Sequence, residues 1–161
     1  MSDVLRLDDY QNLQDILDKV SYINKVYYTP AACNILYLEE SNKEISVIYM
    51  IAMRDAHSHL EKALEYFNRE NGVLNDDSRT KITRQLERYL GHLEELLYDT
   101  YLRIINEKLN VLLKRLRKKE QDIVKSQLSS QIQSVRTMGD DISIEQKKEN
   151  FEKIIEYIEN Y

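Results

Sequence analysis

The chain has 161 residues, of which 42% are hydrophobic and 32% charged, with a net charge of −5; this suits one globular domain with a sizeable core and excludes general disorder. Three glycines and one proline, set among abundant Leu, Ile, Glu, Lys and Gln, predict few loops, long helices and an all-α class. Cys33, the single cysteine, excludes an internal disulfide, and no stretch approaches the roughly 18 apolar residues of a membrane span.

Met1-Ser2-Asp3-Val4-Leu5-Arg6 lacks the basic and apolar regions of a signal peptide, so a reducing cytoplasm without membrane contact is the expected setting. Asp8 or Asp9 can cap a first helix, whose apolar positions Leu13, Ile16, Leu17, Val20 and Ile23 follow three- and four-residue steps. Thr29-Pro30 should end it and, with Thr29 as cap, start a short helix from Ala31 to Glu40 in which Cys33 reads as a core residue. Ser41 and Glu44 have capping-box spacing. They would open a third helix through Ile45, Tyr49, Ala52, Ala56, Leu60, Ala63 and Phe67, closed by Asn71-Gly72. A continuous rod joining the second and third helices is the alternative.

Val73-Leu74-Asn75-Asp76-Asp77-Ser78 is the clearest loop signal. Beyond it the helical pattern runs from Ser78 to about Arg136, with Ile82, Leu86, Leu90, Leu93, Leu97, Tyr101, Ile104, Leu112 and Leu116 on its apolar face. A helix over 78–136 would span about 90 Å. Such a helix should break near Ser129-Ser130 or pack its far half on another chain as a coiled coil. Gly139, Asp140 and Asp141 stop it, and Ser143 with Gln146 caps a last helix carrying Ile144, Phe151, Ile154, Ile155 and Ile158. Residues 1–138 would thus form the bundle, with 139–161 a C-terminal helix packed on it or on a partner.

One segment nearly repeats. His59-Leu60-Glu61-Lys62-Ala63-Leu64 returns as His92-Leu93-Glu94-Glu95-Leu96-Leu97, and the midpoint of the two histidines falls in the predicted loop. Folding there makes an antiparallel helical hairpin with both imidazoles at one level. The ordinary use of such histidines is structural, as hydrogen-bonded residues of the interior.

A sharper possibility lies in Arg54-Asp55-Ala56-His57-Ser58-His59, where an arginine followed by a polar residue precedes a histidine by five positions. This resembles the motif of HEPN-superfamily ribonucleases, small α-helical bundles in which catalysis usually needs two protomers. The resemblance implies that Arg54 would steady a scissile phosphate, His59 would act as general acid or base and Asp55 would orient them, with an RNA 2′-hydroxyl as nucleophile. His92 is the counterpart in the second repeat, although Glu87 stands where an arginine would be and Arg88 follows it. The family context would be a prokaryotic toxin or antiviral system.

Other chemistries lack their parts. Di-iron bundles need Glu-x-x-His on two helices, which neither repeat contains. His57, His59, Glu61, His92 and Glu94 could hold zinc only if two helices met suitably, because positions two apart on a helix diverge by about 200°. No cofactor or metal is expected.

Lys114, Arg115, Arg117, Lys118, Lys119 and Lys125 form a basic run interrupted only by Glu120 and Asp122 among charged residues. It could contact RNA or DNA phosphates, remain a solvated face, or be neutralised by the acidic C-terminal helix folding back on it. Tyr22, Tyr27 and Tyr28 cluster before Pro30 and form a candidate partner surface. These features together suggest a non-catalytic helical assembly or adaptor subunit, self-associating or docked on a larger protein, with a HEPN-like ribonuclease or RNA-binding subunit as the alternative.

Overall fold

The computed structural model describes residues 11–42, 46–69, 74–137 and 144–161, which are helical almost throughout, with no strand among them. The protein is all-α. The helices are α1 (Leu13–Ile23), a π turn (Asn24–Tyr28), α2 (Thr29–Asn42), α3 (Val47–Arg69), α4 (Asp76–Leu113), α5 (Lys118–Arg136) and α6 (Ile144–Asn160). None of these helices is long and apolar enough to cross a membrane.

Asn12 caps α1 through a reciprocal pair: its side chain accepts from the Asp15 N–H at 3.1 Å, and the Asp15 carboxylate accepts from the Asn12 N–H at 3.3 Å. The predicted caps Asp8 and Asp9 lie outside the described residues. Pro30 does not end the helix. It has no N–H to offer, and its ring crowds the carbonyl four residues back. The chain responds by widening into the π turn, where the Thr29 N–H donates to the Asn24 carbonyl, and continues into α2.

Within α2, Ala31, Ile35 and Leu38 are buried. Cys33 lies about 200° around the helix from Ala31 and is exposed, not a core residue as its apolar neighbours suggested. Ser41 is likewise not a cap, since its hydroxyl donates to the Tyr37 carbonyl at 2.9 Å inside the last turn of α2. Glu44 and Asn71-Gly72 lie outside the described residues.

α4 begins two residues earlier than the loop signal implied, because Asn75 acts as its cap. The Asn75 side chain accepts from the Ser78 N–H at 2.8 Å and the Ser78 hydroxyl accepts from the Asn75 N–H at 2.9 Å. The far end differs more. The helix tightens after Leu113 into a turn in which the Arg115 N–H donates to the Leu112 carbonyl at 2.9 Å, and Arg117 is extended. No glycine or proline marks this break. Side chains close it: the Gln121 carboxamide donates to the carbonyls of Leu113 and Leu116 at 2.8 and 2.9 Å, and Glu120 accepts from the Arg117 N–H at 2.9 Å. Ser129-Ser130, the predicted break, sits in mid-helix in α5.

The chain forms two compact units, Met1–Thr100 and Tyr101–Tyr161. In the first unit, Ile16, Val20 and Ile23 of α1 close a core with Ala56 and Ala63 of α3 and Ile82, Leu86, Tyr89 and Leu93 of α4. The Asn34 amide on α2 donates to the buried Thr100 hydroxyl at 3.2 Å. In the second unit, Tyr101 stacks on Phe151 with centroids 5.4 Å apart, and Lys108 pairs with Glu159 at 2.5 Å, so α6 runs parallel to the end of α4. Tyr157 donates to Gln127 at 3.2 Å, joining α6 to α5. α6 thus contacts both the end of α4 and α5 within this unit.

Removing the α4 cap tests this account of the hairpin. Asn75→Ala should lower the unfolding free energy by about 1 kcal/mol, read as a lower urea midpoint at unchanged slope, and Asn75→Asp should retain most of the parent's stability.

Candidate functional site

The hairpin of α3 and α4 brings the two repeat histidines together. α3 and α4 run antiparallel, with Lys81 Nζ lying 5.9 Å from the Tyr66 ring centroid near the connection. Further along, His59 and His92 are stacked, their ring centroids 5.3 Å apart and their planes within 10°. Gln85 lies two turns before His92 on the same face of α4. Its buried side-chain oxygen is 2.7 Å from His59 Nδ1. With that oxygen as acceptor, Nδ1 carries the proton and Nε2 of the neutral ring keeps its lone pair.

His57 faces differently, being two positions from His59. Its Nδ1 donates to the Met53 carbonyl at 2.8 Å, and its ring meets Tyr28 edge-on at 5.4 Å and Tyr89 at 6.2 Å. Tyr89 is fully buried, and its hydroxyl donates to the Asn24 side-chain oxygen of the π turn. Burial, and secondarily the neighbouring Tyr28 phenol, push the Tyr89 hydroxyl up to about 12. The π turn created by Pro30 thus supplies the one polar partner that this phenol needs.

Arg54 is not gathered into the histidine pair. Five positions separate it from His59, which is about 140° around the helix. Its guanidinium instead binds Asp55 at 3.0 and 3.2 Å, with 74% of the side chain exposed. Glu87 and Arg88 are exposed as well. Of the residues in the Arg-x4-His pattern, the structure therefore joins only His59 to the second repeat, while Arg54 and Asp55 stay together on the surface.

The tyrosines before Pro30 are also divided. Tyr22 is exposed, whereas Tyr27 and Tyr28 pack against the core. All of Lys114, Arg115, Arg117, Lys118, Lys119 and Lys125 are exposed, but they occupy the α4–α5 turn and the first part of α5 instead of one uninterrupted helix.

Two features escaped the sequence reading. Gln85 and Tyr89 carry the interior polar contacts, and their only signal was position on the helix face that also bears Ile82, Leu86 and Leu93. The second feature is apolar. Apart from Ser46, every residue from Ile45 to Met53 is apolar, more than one helix face can bury. The excess is exposed: Val47 at 66%, Ile48 at 73%, Met50 at 57% and Ile51 at 43%. Tyr28 meets His57, so by antiparallel register the exposed Leu36 and Tyr37 of α2 lie level with these residues.

Comparison with protein-family models, with curated proteins and with solved structures finds no match.

Tyr89 provides a pH test of the buried contact. Its folded-state value lies above the ordinary 10, so the stability it contributes is complete below pH 10 and is lost as pH rises from there towards about 12. The urea midpoint of the parent should fall across that window more steeply than that of Tyr89→Phe. Equal slopes would show that the phenol is not held in its neutral form by the fold.

Proposed function

We propose that this protein is a non-catalytic α-helical assembly subunit that associates with a second copy of itself through the start of α3 and the adjoining end of α2. The observation that carries this reading is the exposure of Val47, Ile48, Met50 and Ile51 on consecutive turns of α3. At 100° per residue these side chains cover about 160° of the helix surface, and no charged residue from Val47 to Met53 interrupts them. Apolar surface of this kind costs free energy in water and is covered in assembled proteins. A second copy presents the same surface, which allows a closed twofold interface. The exposed thiol of Cys33 suits a reducing cytoplasm, in which it stays unpaired.

Sedimentation equilibrium at micromolar concentration tests this. The parent should be dimeric or larger, and the double substitution Ile48→Glu, Ile51→Glu should give a folded monomer. A parent that stays monomeric contradicts the proposal.

A second reading, the HEPN-like ribonuclease, draws on the orientation of His59. Gln85 fixes Nδ1 and leaves Nε2 for proton transfer, and the exposed Arg54–Asp55 pair is available to a neighbouring protomer. Labelled RNA incubated in EDTA separates the two. Intact RNA is the expected result. Cleavage by the parent that is lost in both Arg54→Ala and His59→Ala would favour the ribonuclease.

A further inference from the structure

The α4–α5 turn concentrates positive charge in a chain whose net charge is −5. Lys114 and Arg115 lie in the turn, Arg117 precedes α5, and Lys118 and Lys119 open it. The first turn of a helix carries the positive end of its dipole, so acidic residues are favoured there and lysines are not. Glu120 is the one carboxylate in that first turn, and it is engaged by the Arg117 N–H at 2.9 Å. Lys118 and Lys119 thus add to the positive end of the α5 dipole, whereas Lys114 and Arg115 sit at the negative end of α4, where cations are favoured.

Glu120 and Asp122 offset part of this charge, but among the described residues no ion pair of the unit reaches its cations. Arg103 pairs with Glu107, Lys108 with Glu159 and Lys153 with Glu149. No ion pair joins Lys114, Arg115, Arg117, Lys118, Lys119 or Lys125 to a carboxylate among the described residues. Glu159 of the acidic α6 pairs with Lys108, about 9 Å of helix short of Lys114. The turn is also held in shape, since Gln121 ties its two ends through the Leu113 and Leu116 carbonyls.

We propose that this turn binds the phosphate backbone of a nucleic-acid duplex without reading its sequence. The chemistry of the cluster selects this ligand. A protein interface is centred on apolar or aromatic anchors, whereas residues 114–125 contain no aromatic residue, and their one strongly exposed apolar side chain is Ile123. The same lack of rings removes base stacking, which single-strand binding relies on. What remains is a set of flexible, exposed cations carried on a braced turn, suited to the dense and regular charge of a duplex. This surface lies in the second unit and does not rest on the self-association proposed for α3.

Fluorescence anisotropy with labelled DNA and RNA duplexes of arbitrary sequence tests the proposal, using the full chain. About five neutralised phosphates give a log–log salt slope near −4.5, or roughly a five-hundred-fold loss of affinity between 50 and 200 mM salt. Replacing Lys114, Arg115, Lys118 and Lys119 by Gln should flatten that slope to about −1 and abolish measurable binding at the higher salt. Lys147→Gln, Lys148→Gln, Lys153→Gln on α6 serves as the charge control and should bind nearly as the parent does. Circular dichroism confirms that both variants are folded. Binding of both duplexes, or of one alone, supports the proposal and identifies the source of the phosphates. No binding of either duplex at 50 mM salt, equal losses in the two variants, or tighter binding of polyglutamate than of either duplex would overturn it.

Discussion

Both units are built on α4. Its first part buries Ile82, Leu86, Tyr89 and Leu93 in one core, and its last part buries Ile104, Ile105 and Leu112 in the other. A helix of this length in water is held by tertiary packing more than by propensity, so each unit depends on the register that other helices adopt on α4. In the first unit that register is antiparallel for α3, and it alone brings residues from the two repeats to one level. The histidine stack and the Gln85 contact both follow from it.

The polar groups of the first unit are arranged as support for packing. Tyr89, Thr100 and Gln85 are buried and each has a hydrogen-bond partner, which is the condition under which polar groups can remain inside without penalty. The π turn belongs to the same arrangement, because it both accommodates Pro30 and places Asn24 at the Tyr89 hydroxyl. By contrast, the Arg54–Asp55 pair is solvated and contributes little to stability. The energetic imbalance of this unit is the uncovered apolar surface at the start of α3. That imbalance is the observation from which assembly is proposed.

Much of the fold was legible in the sequence. Helical class, the hairpin and most of the buried positions of α4 follow from spacing alone, since burial on a helix repeats every three to four residues. The turn after Leu113 was not legible, because it is closed by side chains of Gln121 and Glu120 that equally suit a helix interior. Pro30 misled for a related reason: a helix can absorb proline by adding a residue to one turn, and spacing does not distinguish this from a break. Pairing of His59 with His92 could be anticipated from the repeat, whereas the placement of Arg54 depended on rotation about α3, where five positions carry it away from the histidine. The exposed residues of α3 were readable in principle, as an apolar run too continuous for one buried face.

Hydrogen–deuterium exchange over a range of protein concentrations is the most direct test of the central claim, because it reports on the proposed surface itself. If the start of α3 is covered by a second copy, peptides containing Val47–Ile51 should exchange more slowly as concentration rises, while those from α5 stay unchanged. Exchange of the α3 peptides that does not depend on concentration, in a range where the chain is otherwise folded, would contradict self-association through this face.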